Sequence, residues 1–224
     1  MSSIPLLLEW RGQRLWISPE RCMFWEEQRM LILSDLHIGK TAHFRKAGIA
    51  VPQQLFQEDM HRLYHQIHHF NPDRILITGD LFHSHANVEH DVFARWRETL
   101  GEKEIILVRG NHDKLDDAVY QAMGIQCVGH QLMVNDFIFI HEMPADVDVS
   151  KYYFTGHQHP GIKISGKGKQ SVTLPCFYFT NDHAVLPAFA NFSGKHLVEP
   201  KRSDKLFAIM KEVNHTSIIE VPCQ

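Results

Sequence analysis

Three short, unbroken apolar runs constrain this chain more than any other feature: Met30-Leu31-Ile32-Leu33, Ile75-Leu76-Ile77 behind Arg74, and Ile105-Ile106-Leu107-Val108. Each is too short for a helix, and continuous apolarity suits a strand covered on both faces. The stretches between them carry a different period. Phe56, Met60, Leu63, Ile67 and Phe70 recur at spacings of three and four. That predicts a helix from Pro52 to Phe70, with the proline in its first turn and Asn71-Pro72 as its stop. Val88, Val92, Trp96 and Leu100 mark a second helix, from about Val88 to Leu100. Strand, helix, strand, helix, strand in that order across residues 30 to 108 argues for parallel pairing through right-handed crossovers.

On either side of this block the pattern shortens. Arg14–Ser18 and Arg21–Trp25 read as a hairpin around Pro19 and Glu20. Beyond residue 120, short strands are expected at Ile125–Val128, Gln131–Val134, Phe137–Ile140, Tyr152–Thr155, Ser171–Thr173, Phe177–Phe179 and Ser217–Val221, spaced like antiparallel hairpins. The expected fold class is α/β: a four-layer sandwich of two mixed β-sheets flanked by helices. Ser165-Gly-Lys-Gly-Lys-Gln170 reads as a surface loop. A chain of 224 residues that is 44% hydrophobic is the size of one globular domain, taken as residues 1–224.

Composition narrows the function classes. A net charge of -3 lacks the broad positive field of a protein that holds nucleic acid mainly by neutralising phosphates, so any such contact is expected to be local. Cys22, Cys127, Cys176 and Cys223 lie far apart with no C-x-x-C pair, which fits reduced thiols in a cytoplasmic protein. Leu6-Leu7-Leu8 is too short for a signal-peptide core, and no later stretch supplies the roughly 18 apolar residues of a membrane span. A soluble protein without membrane contact is expected.

Histidine is the anomaly, at 17 residues against four cysteines, and many of the histidines sit beside Asp, Asn or Gly where an expected strand ends. Ser34-Asp35-Leu36-His37 follows the first run, Gly79-Asp80 the second and Gly110-Asn111-His112-Asp113 the third. His141-Glu142 and Gly156-His157-Gln158-His159 follow two later strands. In open α/β sheets, ligands bind at the carboxyl ends of strands. Asp-x-His and His-x-His place two side chains on one side of an extended chain, and Gly79, Gly110 and Gly156 allow tight turns beside them. Oxygen and nitrogen donors without sulfur point to a metal centre of Mn²⁺, Fe²⁺ or Zn²⁺ rather than Mg²⁺ or Ca²⁺.

D-x-H, G-D, G-N-H-D, a lone His and G-H-x-H, in that order across residues 35 to 159, resemble the calcineurin-like metallophosphoesterase family. The resemblance implies one ion held by Asp35, His37, Asp80 and His159, and a second held by Asp80, Asn111, His141 and His157, with Asp80 bridging. Mn²⁺ is the expected activating metal. At one place the chain departs from the pattern: G-D-x-x-D would put an acid where this sequence has His83. Asp35 to Pro52, Gly-Asp-Leu-Phe-His-Ser84, Leu174-Pro-Cys-Phe177 and Leu186-Pro-Ala-Phe189 are similar to a bacterial subgroup, the ligase-associated DNA damage response endonucleases. That subgroup implies cleavage of DNA in repair, alongside DNA ligase and helicase partners.

Two divalent ions about 3.5–4 Å apart lower the pKa of a bridging water, orient it for in-line attack on phosphorus and neutralise charge on the phosphoryl oxygens. With the other histidines of the motifs assigned to metal, His112 is left to protonate the leaving oxygen and Asp113 to orient it. Elsewhere two readings stand. Lys40, His43, Arg45 and Lys46 are either a positive lip for a phosphodiester or an ordinary solvated loop. His83 and His85 either touch substrate phosphate or pack structurally. His61, His65, His68 and His69 fall off the apolar face of their helix and read as surface. Three functions follow: a phosphodiesterase acting on nucleic acid, a small-molecule or cyclic-nucleotide phosphoesterase, and a non-catalytic scaffold. The scaffold calls for eroded ligands, and none of the seven is missing.

Overall fold

The computed structural model describes residues 4–46, 48, 50–52, 54–83, 88–166, 168, 170–213 and 215–223. A seven-stranded sheet runs in sequence order: β1 (Leu6–Trp10), β2 (Gln13–Ser18), β3 (Cys22–Trp25), β4 (Met30–Leu33), β5 (Arg74–Thr78), β6 (Glu104–Val108) and β7 (Ile125–Cys127). The first four strands pair antiparallel and the last four parallel. The three apolar runs are thus β4, β5 and β6, side by side, and their period-two alternation splits them between two cores. Leu31, Leu33, Ile75, Ile77, Ile105 and Leu107 face one way. Met30, Ile32, Leu76, Ile106 and Val108 face the other.

The connections carry α1 (Lys40–Lys46), α2 (Gln54–Phe70), α3 (Val88–Glu98) and α4 (Asp117–Ala122). Because the parallel strands follow one another in order, right-handed crossovers put every connection on the same face of the sheet. Met60, Leu63 and Ile67 of α2, Phe93 of α3 and Tyr120 of α4 bury there, each side chain contributing about 1.5–3 kcal/mol by leaving water. The opposite face stays free for a second sheet.

Among the described residues that sheet has nine strands: β8 (Gln131–Val134), β9 (Phe137–Ile140), β10 (Tyr152–Thr155), β11 (Pro160–Ser165), β12 (Ser171–Phe179), β13 (His183–Val185), β14 (His196–Leu197), β15 (Lys205–Lys211) and β16 (Thr216–Val221). Its inner face brings Phe137, Phe139, Tyr152, Phe154, Phe177, Phe179 and Phe207 against the first sheet. The rings meet in edge-on and stacked pairs, such as Phe137–Phe154 at 5.1 Å and Phe139–Phe154 at 5.3 Å. On its far side a smaller cluster of Leu174, Cys176, Leu206 and Ala208 forms among the strands. Two expected strands, Ser171–Thr173 and Phe177–Phe179, are in fact one, β12. Pro175 lies where β12 leaves β11 at the Gly161 pair and takes up β15 at the Ala208 pair, a junction where a missing N–H costs least. Among the described residues no helix is long and apolar enough to cross a membrane.

Register decides where the polar turns go. Leu33 pairs with Ile77 and Ile77 with Leu107, so the turns after β4, β5 and β6 sit at one level. In the second sheet β9 and β10 run parallel, and the Gly156 N–H donates to the His141 carbonyl at 3.0 Å. The chain beyond β13 then joins the two rims. Ala188 bridges Ser34, and the Phe189 and Ala190 amides donate to the Ser34 and Asp35 carbonyls at 2.8 and 3.1 Å.

Candidate metal centre

Five strand ends deliver side chains to this joint. Asp35, His37, Asp80 and His141 are buried there, and His159 is partly buried. His159 Nε2 lies 3.0 Å from Asp35 Oδ1 and 3.3 Å from His37 Nε2, with 3.7 Å between the last two residues. His141 Nε2 lies 3.3 Å from Asp80 Oδ2 and 4.0 Å from Asp35 Oδ1. These atoms form two compact groups, Asp35-His37-His159 and Asp35-Asp80-His141. The resemblance gave the bridging role to Asp80. Here Asp35 is the residue common to both groups, and Asp80 Oδ2 stands 3.9 Å from His37 Nδ1 on its other side.

The backbone at these positions is bent in a way the spacing does not announce. Asp35, His37, Asp80, His157 and His159 have φ of 57°, 49°, 54°, 62° and 48°. Left-handed backbone costs a non-glycine residue about 1–2 kcal/mol, and five of the ten described residues that bear it are expected ligands. The Asp-x-His and His-x-His pairs therefore converge through consecutive kinks and not through extended chain, which corrects the expectation from spacing. Gly79, at φ +85°, makes the expected turn, and the other two glycines differ from the expected role. Gly110 and Gly156 are there for room: a Cβ would lie 2.3 Å from Asp80 Oδ1 at the first and 1.9 Å from Ser34 Oγ at the second.

Whether these residues suit a cation can be judged from their unmet polar atoms. Asp35 Oδ1, His37 Nδ1 and His141 Nε2 are buried without a hydrogen-bond partner, although a buried polar atom normally has one. Two carboxylates are also out of water, at a cost of several kcal/mol each unless charge compensates them. Burial pushes both acids up, and the surrounding imidazoles outweigh it, holding Asp35 below the usual carboxylate range and Asp80 down at about 2. Burial pushes His37 down to about 3, so its ring is neutral with a lone pair to give. Burial also opposes a charge on His141, but Asp80 and Asp35 lift it to about 9. The two acids thus concentrate negative potential at His141 Nε2. His141 Nδ1 donates to the Thr78 carbonyl at 2.9 Å, which fixes the ring and turns Nε2 inward. The donor set fits divalent cations.

The remaining expected residues divide. His157 is exposed; its N–H donates to Asp35 Oδ2 at 3.2 Å and its ring lies 5.2 Å from that of His141. Asn111 is exposed on the same rim, beside His141. His157 enters neither of the two groups. The His112 N–H donates to Asp80 Oδ1 at 2.9 Å, and its ring stacks on His83 at 4.8 Å and meets His37 edge-on at 5.7 Å. Asp113 was expected to orient His112 and does something else. Its oxygens accept the main-chain N–H groups of Asp80, Leu81, Phe82 and Gly110 at 2.7, 3.0, 3.2 and 2.9 Å, so they face the turn and not the imidazole. Lys40 is partly buried near Asp35 and Asp80, and burial lowers its pKa. Arg45 Nη1 donates to the Val51 carbonyl at 3.5 Å. His85, Ser84, Lys167, Lys169 and the His43 side chain lie outside the described residues. Sequence reasoning passed over Arg109 and His130, which line the rim with Asn111. Arg109 adjoins the G-N-H-D motif; His130 reaches the rim only through the turn after β7, for which no motif exists.

A model of the calcineurin-like phosphoesterases matches residues 28–173, which include all seven expected ligands. The chain belongs to that family. As a metallophosphoesterase it is a hydrolase, and its two Asp/His groups form a candidate binuclear site. Among solved structures, the nuclease MPE of Pseudomonas putida matches with a TM-score of 0.77 and 26% identity, over 91% of this chain and 96% of that one. Yfce, a phosphoesterase from E. coli, matches with a TM-score of 0.46 and 14% identity, over 87% and 99%. No curated protein sequence matches the chain.

Proposed function

We propose that this metallophosphoesterase hydrolyses phosphodiester bonds of nucleic acid, as a DNA-repair-associated endonuclease. The observation that carries the reading is the pair of Asp/His groups sharing Asp35, in a chain that is similar to nuclease MPE over nearly its whole length. In this reading Asp35, His37, Asp80, Asn111, His141, His157 and His159 would together hold the two ions, with Asp35 common to the two compact groups. Mn²⁺ is the activating metal. Bound divalent ions supply Lewis acidity at the phosphoryl oxygens and acidify water.

The chain's own residues do the rest. Buried Asp35 and Asp80 fix the negative charge that assembles the site, in a place where no solvent reorganises. His112 is held by its main chain to Asp80 and by its ring to His83, in position to protonate the departing oxygen. Such acid help is typically worth about 10²- to 10⁴-fold in rate. Lys40 brings a cation near Asp35 and Asp80, where a non-bridging phosphate oxygen would lie. Asp113 keeps the Asp80 turn in shape. A cytoplasmic setting and DNA ligase or helicase partners belong to the same reading, from cysteine usage and the subgroup resemblance.

With Mn²⁺, the purified protein is expected to hydrolyse bis(p-nitrophenyl) phosphate and to cut DNA. Asp80→Ala is expected to abolish both, and His112→Ala to lower both by about 10²-fold or more. Unchanged turnover in the two variants would refute the assignment. The net charge of -3 favours a second reading, a small-molecule or cyclic-nucleotide phosphoesterase. Turnover of nucleotides alone, with no steep salt dependence, would select it.

A further inference from the structure

Among the described residues, two hollows of very different size lie beside the metal groups. On the α1 side, the hollow bounded by Leu36, His37, Lys40, Phe56 and Phe192 has about 20 Å³, which is space for one water. On the α4 side, Arg109, Asn111, His130, Ile140, His141 and Glu142 line a cleft of about 250 Å³. Its wall includes His141, so whatever fills it lies against the phosphate that the two groups would hold. A bulky substituent on that phosphate has room in only one of the two.

The cation of this cleft is fixed in advance. Arg109 Nη1 donates to the Asp113 carbonyl at 3.2 Å, Nη2 pairs with Asp117, and the guanidinium lies 5.0 Å above the Tyr120 ring. The loop before α4 and α4 itself therefore hold the group still. A guanidinium already ordered can bind phosphate oxygens with little further loss of entropy. His130 stands exposed on the same wall, in the turn between β7 and β8. The opposing charges are Asp117, already paired with Arg109, and Glu142, which lies 3.9 Å from His157 Nε2.

We infer that this cleft seats the nucleotide next to the scissile phosphate, and that Arg109 and His130 take that nucleotide's own phosphate. The inference rests on the phosphodiesterase reading above and adds the direction in which the strand leaves the metal groups, toward α4. A phosphomonoester has nothing to place there, so the cleft favours diesters over monoesters.

The test uses the full chain with Mn²⁺, an oligothymidylate and bis(p-nitrophenyl) phosphate. Arg109→Gln and His130→Glu are each expected to raise KM for the oligonucleotide about tenfold. Each should flatten the slope of log KM against log salt, by about 0.7 for every unit of positive charge removed or negative charge added beside a single-strand phosphate. Turnover of bis(p-nitrophenyl) phosphate, which has no second phosphate, should stay within about twofold of wild type. His130 is exposed, so its variant keeps the test valid if loss of the α4 contacts unfolds Arg109→Gln. An unchanged KM and salt slope in folded His130→Glu overturns the inference and leaves the phosphodiesterase standing. A wild-type protein that hydrolyses bis(p-nitrophenyl) phosphate but no oligonucleotide overturns the nucleic-acid reading itself.

Discussion

Gly79 has a φ of +85°, and a Cβ built on it would lie 2.1 Å from His141 Nδ1. That nitrogen bonds the Thr78 carbonyl, so a methyl group at residue 79 would push aside the contact that aims His141 at Asp80. Gly79→Ala is expected to cost about 1–3 kcal/mol of stability through overpacking, with a further contribution from left-handed strain. Phosphodiesterase activity should fall to background; thermal melting and turnover of bis(p-nitrophenyl) phosphate measure the two effects. At this scale the ligand types were legible, because a metal centre without sulfur draws on few residue kinds and each followed an apolar run. The kinks at Asp35, His37, His157 and His159 were not, since a pair two residues apart reads as extended chain whether or not the backbone bends.

The turn after β5 is held by a carboxylate more than thirty residues away in sequence. Asp113 takes four main-chain N–H groups, three of them from residues 80 to 82. Burial raises its pKa to about 6, and those amides oppose the shift. Asp113→Asn puts an amide donor among amide donors, leaving buried N–H groups unmatched at about 1–3 kcal/mol each. Its melting temperature should fall well below that of His112→Ala, whose side chain was assigned chemistry and not support. Equal melting temperatures would return Asp113 to the orienting role. The elements were legible in proportion to their length. β4, β5, β6, α2 and α3 show a full period. α1 and α4 have seven and six residues, less than two turns, so no amphipathic pattern can develop. β15 was missed because a run such as Leu206-Phe207-Ala208-Ile209 fits a buried helix as well as a buried strand, and Pro175 made one strand look like two.

Across the whole molecule, each Asp/His group takes two residues from the first sheet and one from the second: His159 joins Asp35 and His37, and His141 joins Asp35 and Asp80. A cation held this way fastens two layers as well as doing chemistry. Chelation is expected to lower the melting temperature, and Mn²⁺ to restore it. Ligand present at 100 times its Kd adds about 2.7 kcal/mol of stability, which corresponds to a shift of several degrees for a protein of this size. A melting curve indifferent to EDTA would show that the groups bind nothing. That most of the late strands form a second sheet was legible from their spacing, but two of its details were not: the expected strand at Ile125 joins the first sheet, parallel to β6, and β9 pairs parallel with β10 where hairpins were expected. The strand order was not legible either, because β12 pairs with β11, β13 and β15 through contacts that leave no periodic trace. The shared origin of the two groups also bears on how the protein comes into being. A growing chain finished only as far as β7 already carries Asp35, His37, Asp80 and Asn111, yet lacks all three of the later histidines. On the proposed ligand set, the site can therefore be completed only after His141, His157 and His159 have been made and the second sheet has docked on the first.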